Sequence, residues 1–159
     1  MREPTNRRRP PRLSQLYSSV RPFYFLTFNT YKRRPILVSK DSHETFRSFC
    51  LRAESDHGIA VGRYVLMPDH VHLFVAFPPD DFTLRKWTQS LRSVVGKKLL
   101  ETGHQKPRWQ EGFFDHVLRS GESYAQKWEY VRMNPVRAGL CATSEEWPYQ
   151  GEIVPLRFD

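Results

Sequence analysis

Residues 59–77, IAVGRYVLMPDHVHLFVAF, decide the fold. Ile59–Met67 is rich in β-branched and aromatic residues and reads as a strand. Pro68-Asp69 supplies a turn, and His70–Phe77 reads as a second strand, so the stretch is a hairpin. Side chains alternate along a strand. Val71, Leu73, Val75 and Phe77 therefore share one apolar face, while His70, His72, Phe74 and Ala76 share the other. Two imidazoles two residues apart project from one face about 7 Å apart along the chain. That spacing suits a shared metal ion. An isolated His-x-His also occurs as plain strand surface, so the pair alone leaves both readings open.

Outward from the hairpin, Phe23–Asn29 (FYFLTFN) reads as an earlier strand. Asp41 and Glu44 are spaced as a capping box, with Phe46, Phe49, Cys50 and Ala53 at helical spacing before Gly58. Downstream, Thr83 is placed to cap a helix whose Leu84, Trp87, Leu91, Val94 and Val95 keep one face apolar, ending near Gly103. Phe113–Leu118 reads as a fourth strand. A last helix is expected over Ser120–Met133, with Ser123 and Gln126 as a second capping box. The order β-α-β-β-α-β-α predicts an α+β chain of the ferredoxin-like, split βαβ kind. Its antiparallel four-stranded sheet carries helices on one face, a last helix follows the last strand, and the other face is left for a site. Residues 1–20 are expected as a flexible basic arm, 21–140 as the folded domain and 141–159 as a C-terminal tail.

With 159 residues and 39% apolar content, one domain with its own core is expected. The net charge of +8 and pI near 9.8 imply a polyanionic partner, and 14% aromatic residues favour unstacked nucleic acid. Residues 1–12 hold five arginines against one glutamate. Arg7, Arg8 and Arg9 are either a solvated tail or an arm that touches phosphates. No apolar run reaches the ~18 residues of a membrane span and no signal-peptide core is seen, so no membrane partner and a cytoplasmic location are expected. Cys50 and Cys141 read as reduced thiols, a single bridge being the alternative. The residues after His72 (Leu73, Phe74, Val75) do not match the HxHxDH of metallo-β-lactamase-type hydrolases. HExxH, GxxxxGK[ST] and Gly-rich dinucleotide loops are absent.

On the last helix, Tyr124, Trp128 and Val131 form the apolar stripe at about 100° per residue. Tyr130 lies off that stripe, on a flank shared with Lys127 and Asn134. It is either a surface tyrosine or a nucleophile facing a site. Asn134 precedes Pro135, so it also fits the N-cap of a following turn.

The run Met67-Pro68-Asp69-His70-Val71-His72-Leu73 resembles the His-hydrophobe-His (HUH) motif of single-tyrosine transposases. Trp109-Gln110-Glu111-Gly112-Phe113-Phe114-Asp115-His116, then Tyr130, then Asn134-Pro135-Val136-Arg137-Ala138-Gly139-Leu140 and Trp147-Pro148-Tyr149, are similar to the branch of REP-associated tyrosine transposases. The resemblance covers about residues 20–150 in family order. It implies His70 and His72 as metal ligands, Asn134 as the third ligand and Tyr130 as the nucleophile. The activity implied is cleavage and rejoining of single-stranded DNA beside a REP-like hairpin through a 5′-phosphotyrosine, in a bacterial protein that joins the nucleoid when bound to DNA. Two imidazoles and an amide oxygen, without a thiolate or an all-His cage, favour Mg²⁺ or Mn²⁺ over zinc. Arg33, Arg34, Arg92, Lys97 and Lys98 are either solvated charges or followers of the DNA backbone. His116 is a structural histidine or a support for the metal ligands, Trp109 a packed residue or a base-stacking one, and His43, His57 and His104 read as solvated. A non-catalytic ferredoxin-like nucleic-acid-binding module is the alternative; its [KR]-G-[FY]-[GA]-F-V-x-[FY] strand is missing. A hairpin-binding chain that no longer cuts, and the choice between monomer and homodimer, stay open.

Overall fold

A computed structural model describes residues 23–78 and 84–157. The expected arm with Arg7, Arg8 and Arg9, and the expected cap Thr83, lie outside the described residues. The elements are β1 (Phe23–Asn29), α1 (Lys40–His57), β2 (Ala60–Leu66), β3 (His70–Ala76), α2 (Leu84–Glu101), β4 (Phe114–Leu118), α3 (Gly121–Val131), the short α4 (Asn134–Arg137) and β5 (Gln150–Glu152). Single 3₁₀ turns sit at Tyr31–Arg33 and Ser144–Glu146. The sheet is antiparallel in the order β4-β1-β3-β2-β5, so the ferredoxin-like core stands and gains a fifth strand. β5 is three polar residues long, too short to show a two-residue alternation.

β1 and β3 occupy the middle of the sheet and bury both faces, which is why FYFLTFN and HVHLFVA carry so few polar residues. Their register pairs Phe25 with Phe74, Thr27 with His72 and Asn29 with His70. On one side Leu26, Phe28, Leu66, Val71, Leu73 and Val75 pack under Phe46 and Cys50 of α1 and Trp87, Leu91, Val95 and Leu99 of α2. On the other side Phe25, Val65, Phe74, Ala76 and Leu118 meet Tyr124 and Val131 of α3 and the indole of Trp147. α1 and α2 thus cover one face, and α3 lies over part of the face that bears the histidines.

Both expected capping boxes are corrected. Ser39, not Asp41, caps α1, its side chain accepting from the Ser42 N–H, and Asp41 sits in the first turn. Ser120 caps α3 by accepting from the Ser123 N–H, while Gln126 turns to Glu122. In each case a serine two or three positions earlier already has the extended backbone that an N-cap needs. Beyond residue 140 the chain packs back onto the domain: Trp147 Nε1 donates to the Leu66 carbonyl at 2.9 Å, and β5 pairs with β2. Cys50 is buried, Cys141 partly buried, and both are free thiols.

Candidate active site

His70 and His72 leave the same face of β3, with ring centroids 4.6 Å apart and planes at 80°. Each imidazole is tied by its Nδ1. Asp69 Oδ1 lies 2.7 Å from His70 Nδ1, and Thr27 Oγ1 lies 2.7 Å from His72 Nδ1. A carboxylate can only accept, so His70 Nδ1 carries the proton and Nε2 keeps its lone pair. With Thr27 as acceptor, His72 takes the same tautomer. Metal-binding histidines are commonly held this way, one ring nitrogen tied and the other free. The Phe25 ring backs His72 in a stacked contact at 5.3 Å and 19°.

Electrostatics keep both rings neutral. Burial is the main force pulling His72 down to about 3, helped by the charges of His70, Lys127, Arg33 and Arg137. Burial also lowers His70, with the hydrogen bond to Asp69 opposing it. Burial by itself would raise the Asp69 carboxyl, but the hydrogen bonds from His70 and Arg33, and their charges, hold it below its ordinary value. Arg33 donates from Nε to Asp69 Oδ2 at 2.9 Å. It reaches there because Lys32 and Arg33 take positive φ (52° and 55°), a costly left-handed turn for side-chain-bearing residues.

α3 places Tyr124 and Val131 in the core and leaves Tyr130 62% exposed at its C-terminal end. Lys127 connects this flank to the histidines. Its Nζ stands 4.8 Å above the Phe25 ring, the ring that backs His72, and 5.9 Å from the Tyr130 ring. The Arg137 guanidinium lies 4.1 Å from the Tyr130 ring centre. Asn134 opens α4, whose N-cap is Met133, so the N-cap reading of Asn134 is replaced. Its Oδ1 accepts from Arg137 Nη2 at 2.6 Å. A carbonyl oxygen has two lone pairs, so one remains.

Among the described residues no group of three or more His, Cys, Asp or Glu side chains could hold a metal ion. Two neutral imidazoles fit a divalent cation only if neutral or substrate oxygens complete the set. Asn134 is one such donor, and Asn29, opposite His70, has a buried Oδ1 without a hydrogen-bond partner. Thr27, Asn29, Lys127 and Arg137 were not singled out as site residues by sequence. Asp69 adjoins His70 and was the one support residue readable from adjacency.

The basic candidates divide. Arg33 joins the histidine site. Arg34 lies over the Tyr31 ring at 5.3 Å. Arg92 is packed inward: its Nη2 donates to the Gly112 carbonyl, its guanidinium sits 5.0 Å from the Phe28 ring, and burial pulls it down to about 10. Lys98 pairs with Glu101 at 2.8 Å, and Lys97 is exposed beside it on α2, the helix that covers the opposite sheet face. His116 is exposed and pairs with Phe25, so it shares the histidine-bearing face instead of being a buried structural residue. Trp109 is packed edge-on to Phe28 at 5.3 Å, with Nε1 donating to the Arg92 carbonyl. His43, expected to be solvated, is part-buried against Tyr64 and Tyr149.

Residues 21–133 match the family model described as "Transposase IS200 like". The chain is 26% identical over 128 residues to the REP-associated tyrosine transposase of Escherichia coli K12, covering 79% of this chain and 73% of that one. It also resembles the solved structure of a REP-associated tyrosine transposase bound to a REP hairpin. The TM-score is 0.63 at 22% identity, over 82% of this chain and 76% of the other.

Proposed function

This chain belongs to the IS200-like transposase family, and from that membership we propose that it cuts and rejoins single-stranded DNA beside a REP-like hairpin, with Tyr130 as nucleophile. The observation that carries the reading is the side of the sheet shared by two neutral imidazoles and an exposed tyrosine. The imidazoles are locked by Asp69 and Thr27, and Lys127 bridges the Phe25 and Tyr130 rings.

In the proposed reaction the Tyr130 oxygen attacks the scissile phosphorus in line. The phenolic proton leaves, the P–O3′ bond breaks, and the departing 3′ oxygen takes up a proton. The 5′ phosphate stays on the tyrosine as a diester. Attack by a 3′-OH reverses the step, and because the bond energy is kept in the phosphotyrosine no nucleotide cofactor is needed. His70, His72 and Asn134 would hold a divalent ion, Mg²⁺ or Mn²⁺, whose charge would polarise the phosphate oxygens. Asp69 and Thr27 orient the imidazoles, and Phe25 shields His72 from water.

The test is a denaturing gel of full-length protein incubated with single-stranded hairpin DNA and Mn²⁺, the label placed 3′ of the nick. Wild type is expected to form a covalent adduct. Tyr130→Phe, which lacks only the hydroxyl, should bind the DNA and form none. Hairpin binding without an adduct in the wild type would reduce the protein to a binding module. An adduct that persists in Tyr130→Phe would move the chemistry to another tyrosine.

A further inference from the structure

We propose that Arg137 is the positioning residue of the nucleophile, holding the Tyr130 ring and the Asn134 amide as one unit. The proposal rests on the reading of Tyr130 as nucleophile. Tyr130 is 62% exposed, so core packing does not fix its ring. The guanidinium does: it lies 4.1 Å from the ring centre, while Arg137 Nη2 donates to the Tyr130 carbonyl at 2.7 Å and to Asn134 Oδ1 at 2.6 Å. One guanidinium therefore touches the ring and, through the single nitrogen Nη2, holds both the backbone that bears it and an amide four residues later. A lysine ammonium could donate to both acceptors but has no planar face to lay against the ring.

Phosphoryl transfer by a fixed nucleophile depends on near-attack orientation, and a misplacement of about 1 Å can cost ~10²-fold in rate. A free tyrosine ring at a helix end would sample many orientations. The plainer role for Arg137 is a C-terminal cap on the Tyr130 carbonyl. The two roles separate by what is lost. A cap supports stability. A positioning residue supports the rate at saturating DNA.

The experiment compares wild type, Arg137→Ala and Arg137→Lys as full-length proteins. It measures hairpin affinity by fluorescence anisotropy, melting temperature, and the single-turnover rate of adduct formation at saturating DNA and Mn²⁺. Arg137→Ala is expected to lose about 10- to 100-fold in that rate, with affinity and melting temperature nearly unchanged. Arg137→Lys should not restore the rate, whereas added methylguanidinium should restore part of it in Arg137→Ala alone. An unchanged rate would overturn the proposal. So would a loss confined to affinity, which marks a DNA-backbone contact, and so would a fall in melting temperature that Arg137→Lys reverses together with the rate, which marks a cap. Failure of the wild type to form any adduct would remove the nucleophile reading, and this proposal with it; adduct in wild type and undiminished adduct in Arg137→Ala removes this proposal alone.

Discussion

At His72 a threonine hydroxyl decides what the ring can do. Thr27 Oγ1 lies 2.7 Å from Nδ1, and with the hydroxyl as acceptor Nε2 keeps its lone pair. Thr27→Val keeps the shape and removes the partner. Calorimetric Mn²⁺ binding is expected to weaken about 10- to 100-fold, the usual cost of losing such a support, while hairpin affinity stays. His70→Ala and His72→Ala should abolish both Mn²⁺ binding and adduct formation and still bind the hairpin; full cutting by His72→Ala at saturating Mn²⁺ would remove the pair from the site. Burial also makes the histidines pH-sensitive in a defined direction. The folded value of His72, about 3, lies below its ordinary 6.5. Between those values the unfolded chain binds a proton that the folded chain refuses, so stability is full above pH 6.5 and falls as pH drops toward 3. His70 and His43 are shifted in the same direction and act in the same sense. Urea midpoints taken from pH 7 down to pH 4 should decline in the wild type and decline less in His72→Gln. A wild-type midpoint that stays flat across that range would refute the assignment.

At the scale of elements, the helix starts show how local geometry selects among similar residues. Ser39 and Asp41 can both cap a helix by type, but Ser39 has the extended φ and ψ (−157° and 163°) and the hydrogen bond to the Ser42 N–H. Ser39→Ala should therefore cost about 1 kcal/mol in chemical denaturation. Asp41→Ala should cost about 0.3–1 kcal/mol, through the helix dipole only. The segment after α4 has a different role. The Trp147 indole is buried against the histidine-bearing face and bonds the Leu66 carbonyl. Gly151 in β5 passes so close to α1 and β2 that a Cβ there would stand 2.8 Å from Arg47 Nη1 and Tyr64 Oη. Residues that read as a terminal tail thus complete one sheet edge and one core.

At the scale of the whole molecule, the distribution of charge matters more than its sum of +8. Several basic side chains are locally answered: Arg33 by Asp69, Lys98 by Glu101, Arg63 by Glu152 and Arg132 by Glu129. Lys127 instead rests over the Phe25 ring beside Tyr130. A cation so placed keeps its charge for a phosphate backbone. Affinity for single-stranded DNA should fall with salt, and each lost phosphate contact should lower the logarithmic slope by about 0.7. Lys127→Gln is expected to lower that slope and Lys98→Gln to leave it unchanged, as read by anisotropy across a salt series. Deletion of residues 1–12 tests the arm in the same way: a lower slope means that Arg7, Arg8 and Arg9 touch phosphates.

Patterns set by neighbours a few residues apart were legible without coordinates. The two-residue alternation of HVHLFVA separated His70 and His72 from Val71, Leu73 and Val75, and the helical period placed Tyr130 off the stripe of Tyr124 and Val131. Both follow from the geometry of a single element. The motif order from His70 to Trp147 was equally readable, and it pointed to the family that residues 21–133 match. Contacts between distant residues were not. Thr27 meets His72 across 45 positions because of strand register. Lys127 reaches Phe25 because α3 packs on that face and not the other. β5 pairs with β2 where Trp147 docks on the core and bonds the Leu66 carbonyl. Arg137 closes on Tyr130 and Asn134 only after α4 has turned. Local alternation and period are encoded within one element, whereas the tautomer of a histidine and the hold on a tyrosine depend on which elements pack together, and only the folded chain decides that.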